Sequence, residues 1–281
     1  MKRTLLYIAF ALSLGNFVAC DVIDEDNRYL EVENQDEPKE RVQRVLIEEF
    51  TGRLCVNCPD GAAAVHDIQA YYGDRIVVVG IHAGQLAPPA AGPFAGQDFQ
   101  TEAGDEYNTY FAPQANPAAM INRTLYDAAL PSTKKELWMT YVISEVAKEP
   151  ACEVTPTCVY DAESRTATIT TEVEAWQNLP ANVKLQVQIV ENNIIGAQLT
   201  SAGMNAEYEH NHVLRSAANG TWGESITSLP AGEKKSYTTT TTLAEEWVAE
   251  NCHAVVFVYD GATQRVLQCN ECHVVETTEN E

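Results

Sequence analysis

Val45-Leu46-Ile47-Glu48-Glu49-Phe50-Thr51-Gly52-Arg53-Leu54-Cys55-Val56-Asn57-Cys58-Pro59 runs from an apolar strand through a short turn to two cysteines that open an alanine-rich helix. Two intervening residues put both sulfurs on the first helical turn, where unpaired backbone N–H groups and the helix dipole stabilise a thiolate. A strand-to-helix setting of this kind points to a dithiol that exchanges with other thiols. The same spacing also serves half of a zinc site, which needs two further ligands, or a purely structural disulfide. Asp60, in the first turn, stabilises the helix but repels a thiolate beside it, which makes the pair a weaker oxidant.

Working outward, the helix extends from Pro59 to about Tyr72 with Val65, Ile68 and Tyr72 on one face. The continuous apolar run from Arg75 to His82 then reads as a strand buried on both faces, completing a βαβ unit. Ala83 to Asp98, with three prolines and three glycines, is a long loop of the kind used as a lid or inserted within a family. Phe99 to Phe111 is expected to be helical and Ala118 to Asn122 a short strand. Ser132 to Lys148 is expected to be a helix with Thr133 and Glu136 as capping-box residues. Beyond residue 150 the helical period disappears. Alternation at 167–173 and 183–189, with further strands expected at 236–243, 254–259 and 265–275, describes half-buried antiparallel strands suited to a small β-sandwich.

The N-terminus reads as a secretory signal over residues 1–19: Lys2 and Arg3, a short apolar core from Leu5 to Leu14, and Ala19 before Cys20. Residues 20–43 form an acidic tether, with nine acids against three basic residues between Asp21 and Arg41. The formal net charge of −22 becomes −24 once Lys2 and Arg3 are removed. Such a surface lacks the clustered cations that phosphate neutralisation requires, so nucleic acid is not expected as a partner. No later segment has enough uninterrupted apolar residues to cross a bilayer, which leaves acyl chains as the expected membrane attachment.

These residues resemble known families at two levels. Phe17-Val18-Ala19-Cys20 resembles a bacterial lipobox, which implies lipidation of Cys20, although Phe17 stands where a leucine-like residue is usual. The strand, the C-x-x-C helix, the second buried strand and a proline before an edge strand are similar to the thioredoxin-like fold. That resemblance implies that Pro117 is cis and faces the cysteines. It further implies that Glu49 is a buried acid relaying protons, that Cys55 is the exposed attacking thiol and that Cys58 is the buried resolving thiol. Leu54 replaces the usual aromatic residue, and Val56-Asn57 the usual Gly-Pro.

Taken with Phe50-Thr51-Gly52, Asn122-Arg123 and the stretch from Glu209 to Arg215, nearly the whole chain resembles the Bacteroidetes outer-membrane lipoproteins that join a thioredoxin-like domain to an immunoglobulin-like one. The expected organisation is an α/β thioredoxin-like domain over 44–149, an all-β immunoglobulin-like sandwich over 150–276 and a tail over 277–281. The expected function is thiol–disulfide exchange with envelope protein thiols or disulfides by a protein lipid-anchored in the outer membrane. The alternative is a non-catalytic surface binding or adhesion protein with a structural disulfide.

The remaining cysteines and histidines point to no cofactor. Cys269-Asn-Glu-Cys272-His273 has the spacing of a haem attachment site, but on a strand residues three apart face opposite ways with Cα atoms about 10 Å apart, too far to grip one haem edge. A three-residue loop at Gly261 to Thr263 would set Cys252 opposite Cys272 as a candidate structural disulfide. Cys152 and Cys158 join only if the chain turns at Pro156. His210 and His212 would share a strand face and could chelate a metal with Glu207 or Glu209, yet spacing fixes no third ligand, so a polar loop element is expected and no metal.

Overall fold

Strand β1 (Val45–Thr51) lies inside a mixed sheet, parallel to β2 (Ile76–His82) and antiparallel to β3 (Ala118–Ile121). This is why its residues are apolar almost without alternation: each face has its own core. Val45 and Ile47 meet Val65, Ile68, Trp138 and Val142, carried by helices α1 (Cys58–Tyr72) and α3 (Lys135–Val146). Leu46 and Phe50 point the other way, toward Tyr107 and Phe111 of α2 (Glu102–Phe111) and toward strands from the C-terminal half. The computed structural model describes residues 40–126 and 128–276. Cys20, the expected signal, most of the tether and the tail lie outside the described residues.

The C-terminal half contributes β4 (Cys152–Asp161), β5 (Thr166–Ala175), β6 (Val183–Glu191), β7 (Ile194–Thr200), β8 (Gly203–His210), β9 (Val213–Ala217), β10 (Glu224–Ser225), β11 (Lys234–Thr242), β12 (Cys252–Asp260) and β13 (Val266–His273). The large sheet runs β13-β12-β6-β9-β2-β1-β3, with β10 also on β6. β9 lies parallel to β2 at Gly80, whose N–H donates to the His212 carbonyl at 2.7 Å; a Cβ on Gly80 would sit 3.2 Å from that oxygen. A three-stranded sheet, β11-β5-β4, closes a sandwich whose interior holds Val154, Ile169, Val173, Val187, Val256 and Val258. The protein is thus mostly β, built around a mixed sheet, and the change of period near residue 150 falls between α3 and β4.

A buried ion pair of the N-terminal half packs against rings of the C-terminal half. The Arg123 guanidinium donates two 2.7 Å hydrogen bonds to Glu48, from Nε to Oε2 and from Nη2 to Oε1. Tyr107, Phe111, Phe257 and Tyr259 surround it, with centroids 5.1 to 5.6 Å from its central carbon. Both side chains are almost fully removed from solvent. The fork of Arg123 satisfies the Glu48 carboxylate, and the ring faces take up the rest of the charge.

Two expectations are corrected, and the alternative left open at Pro156 is decided. Helix α3 begins at Lys135 with Lys134 at its cap position and no side-chain cap, so Thr133 and Glu136 do not form the expected capping box; the Ala119–Ser132 bridge holds the chain extended just before it. The β12–β13 hairpin closes on Asp260 and Arg265, one residue beyond the expected turn, and a bulge at Val258/Tyr259 moves the register by one more, so Cys272 faces Ala254 rather than Cys252, and both thiols are free. β4 continues straight through Pro156, tolerated because β4 is an edge strand, and Cys152 and Cys158 are also free. The Cys269-to-His273 segment is extended as read: Cys269 enters the core beneath α2, and Cys272 packs against the sandwich interior.

Candidate dithiol site

The site begins where β1 ends. Cys55 N–H donates to the Gly52 carbonyl at 3.0 Å, forming the turn that delivers Cys55 and Cys58 to the start of α1, where Pro59 needs no N–H partner. The two cysteines are joined as a disulfide, with Cα atoms 5.4 Å apart. Gly52 permits a close crossing, since a Cβ there would lie 2.5 Å from the Leu86 carbonyl oxygen, and that carbonyl accepts the Leu54 N–H at 2.9 Å. The long loop after β2 thus clamps the dithiol turn.

One turn along α1, Gly61 brings the helix against two other site residues. A Cβ on Gly61 would run into the Glu49 carboxylate and come within 2.6 Å of Pro117 Cβ. The Asn116–Pro117 peptide is cis, immediately before β3. Glu49, Pro117 and the first turns of α1 therefore meet at one point. Glu49 is buried, and its Oε1 has no hydrogen-bond partner among the described residues. Burial pushes its carboxyl up to about 8, so it holds its proton at neutral pH. Asp60 is paired with Lys135 of α3 at 2.7 Å, which offsets its repulsion of a nearby thiolate.

The structure corrects the expected exposure of Cys55. Cys55 is 3% exposed and Cys58 2%. The hairpin β7–β8 lies over the turn: Leu199 N–H donates to the Arg53 carbonyl at 2.8 Å, and Gln198 Nε2 donates to the Cys55 carbonyl at 3.0 Å. Arg53 is buried beneath the hairpin, donating to the Phe94 and Gln97 carbonyls and lying over the Phe99 ring. Gln97 Nε2 in turn donates to the Ile195 carbonyl of β7.

A cavity of about 270 Å³ opens between α1 and β8, and Cys58, not Cys55, is among its lining residues. Glu49, His82, Gln198, Tyr208 and His210 also line it. His82 Nδ1 and His210 Nε2 have no hydrogen-bond partner among the described residues. Burial, with His210 and two arginines nearby, holds His82 well below the usual imidazole range; burial and then Arg53 push His210 down to about 4. At neutral pH both imidazoles and Glu49 are therefore uncharged.

Sequence reasoning singled out Cys55, Cys58, Glu49 and Pro117, and these come together. It missed Arg53, Gln198 and the part His82 and His210 play beside Cys58. The only local signal was the unusual Glu209-His210-Asn211-His212 stretch, part of which lines the cavity. Among the described residues no group of three or more His, Cys, Asp or Glu is placed to hold a metal ion, and no helix is long and apolar enough to cross a membrane.

The family model described as outer membrane protein Omp28 matches residues 104–278, a stretch that begins after the dithiol and includes Pro117 and the covering hairpin. No curated protein matches. Among solved structures, HBP35 of Porphyromonas gingivalis is similar at 14% identity and a TM-score of 0.66, over 86% of this chain and 79% of that one. A protein of Agrobacterium tumefaciens aligns at 10% identity and a TM-score of 0.53, over 86% and 99%. A domain of the outer membrane lipoprotein Omp28 from Porphyromonas gingivalis aligns at 22% identity and a TM-score of 0.33, over 44% and 88%. At these identities the first two likenesses concern the fold alone.

Proposed function

The chain belongs to the Omp28 family of outer membrane proteins, and on that footing we propose that it is a lipid-anchored envelope protein whose Cys55–Cys58 pair performs thiol–disulfide exchange. In this reading residues 44–149 are a thioredoxin-like unit and residues 150–276 an immunoglobulin-like sandwich that binds partners or spaces the site. Cys20 carries the acyl anchor, and the acidic tether holds the domains off the membrane.

The observation that supports exchange over a simple staple is the meeting of Glu49 and Pro117 with α1 at Gly61, one turn beyond Cys58. A buried carboxyl oxygen with no partner among the described residues is expensive to keep, and Glu49 lines the same cavity as Cys58, which needs a proton when it leaves as a thiolate. Glu49, protonated at neutral pH, supplies that proton on reduction and recovers it when the disulfide re-forms. The test is the rate at which the protein accelerates electron transfer from a small dithiol to a disulfide. Catalysis that disappears in both Cys55→Ser and Cys58→Ser is expected; a rate no greater than the uncatalysed one contradicts the proposal.

One observation favours the second reading, a non-catalytic binding protein with a structural disulfide. Both sulfurs are buried beneath a hydrogen-bonded hairpin. A staple needs no access, so that reading predicts a disulfide resistant to reduction in the folded protein.

A further inference from the structure

Cys55 and Cys58 are about equally buried, at 3% and 2% exposed, but Cys58 rather than Cys55 borders the cavity beside them. Cys55 is held between two covers. Gln198 and Leu199 of β7 donate to the Cys55 and Arg53 carbonyls, and the loop after β2 accepts the Leu54 N–H at the Leu86 carbonyl. Cys58 instead lines the cavity between α1 and β8. A volume of about 270 Å³ lies at the small end of sites that hold small ligands. Its lining includes Glu49, His82 and His210, side chains only 4 to 5% exposed whose buried Oε1, Nδ1 and Nε2 atoms have no hydrogen-bond partner among the described residues. Buried polar atoms left unpaired are costly, so a ligand toward which these side chains turn slightly would relieve that cost with its own polar groups. Gln198 and Tyr208 add further hydrogen-bonding groups.

We propose that the substrate of this dithiol is a low-molecular-weight thiol of peptide-like polarity, which enters the cavity and attacks Cys58 rather than Cys55. The proposal rests on the exchange reading and names its substrate class. In the first step the substrate thiolate bonds to Cys58 Sγ, the Cys55–Cys58 bond breaks, and Cys55 departs with the electron pair and takes up the proton the substrate gave up. A second substrate thiolate then attacks the substrate sulfur of the mixed disulfide. Cys58 leaves as a thiolate and is protonated by Glu49, which regains its proton from the second thiol. Two thiols have become one disulfide, and the protein has become a dithiol.

The test uses glutathione as the probe. Oxidised glutathione is added to the full chain bearing Cys55→Ser or Cys58→Ser, each verified as folded by circular dichroism, and adducts at residues 55 and 58 are followed by peptide mass mapping. Cys58 in Cys55→Ser should acquire glutathione at least about tenfold faster than Cys55 does in Cys58→Ser. Equal rates, or faster reaction at Cys55, overturn the proposal. With both cysteines intact, Ala62→Phe, at a lining position on α1, should slow reduction of the disulfide by reduced glutathione several-fold; an unchanged rate overturns it too. The reduction potential of the unaltered pair separates two failures. A potential suited to exchange, with adducts confined to Cys55, removes only this inference. A potential too negative for exchange, with neither sulfur reactive, removes the exchange reading as well.

Discussion

Gln198 donates its side-chain amide to the Cys55 carbonyl at 3.0 Å, across 143 residues of chain. With the Leu199-to-Arg53 backbone bond it makes the hairpin β7–β8 part of the dithiol site. Residues within the stretch matched by the Omp28 family model thereby cover a disulfide that lies outside it.

Replacing Gln198 with Ala should loosen this cover. A buried hydrogen bond contributes about 0.5–1.5 kcal/mol, so the open population should rise roughly two- to tenfold. Iodoacetamide labelling of Cys55 in the reduced protein would report the change, accompanied by faster hydrogen exchange at the Leu199 amide. Unchanged rates at both positions would mean that the hairpin does not govern access.

Arg123 and Glu48 should be intolerant of single neutralisation. Arg123→Met strands the Glu48 carboxylate, and Glu48→Gln strands the guanidinium among four aromatic rings. Each should cost about 3–5 kcal/mol in urea unfolding. The double replacement should recover part of that loss, because no buried charge is then left without a partner.

Glu49 should leave a signature in stability against pH. Its folded carboxyl is raised to about 8, above its unfolded value near 4.5, so between those values the folded state binds more protons than the unfolded state. Its stabilising contribution is full below about 4.5 and is lost as pH rises toward 8, at up to about 1.4 kcal/mol per pH unit. Glu49→Gln should remove this decline, so the variant gains on the wild type from pH 5 to 8. A constant difference across that range would place the carboxyl in solvent.

Gly61→Ala should destabilise although alanine is the better helix former by about 1 kcal/mol. The added methyl meets the Pro117 ring and the Glu49 carboxylate, and overpacking of that kind typically costs about 1–3 kcal/mol. A lower denaturant midpoint together with a shifted Cys55–Cys58 potential is expected. A stabilised protein would show that α1 does not press on these residues.

The β1-α1-β2 unit was legible because its signals are local: two apolar runs, a C-x-x-C and a proline at the first helical turn. The contiguity of Ile76–His82 already implied burial on both faces, and the alternation at 167–173 and 183–189 located β5 and β6. What could not be read depends on partners far along the chain. Nothing around Arg123 announces a carboxylate 75 residues earlier. β8 is mostly exposed and polar, so no periodicity signals that its hairpin lies over Cys55. Thr133 and Glu136 look like a capping box until the Ala119–Ser132 bridge delays the helix to Lys135, and the bulge in β12–β13 leaves no compositional trace.

The central claim is that Cys55 and Cys58 cycle between disulfide and dithiol in the folded protein. Its most direct test is the reduction potential of the pair, obtained by equilibrating the full chain in glutathione redox buffers and counting alkylated Cys55 and Cys58 by mass spectrometry. A value between about −270 and −180 mV, the range of exchange proteins, is predicted. A value below about −300 mV, typical of structural disulfides, would contradict it.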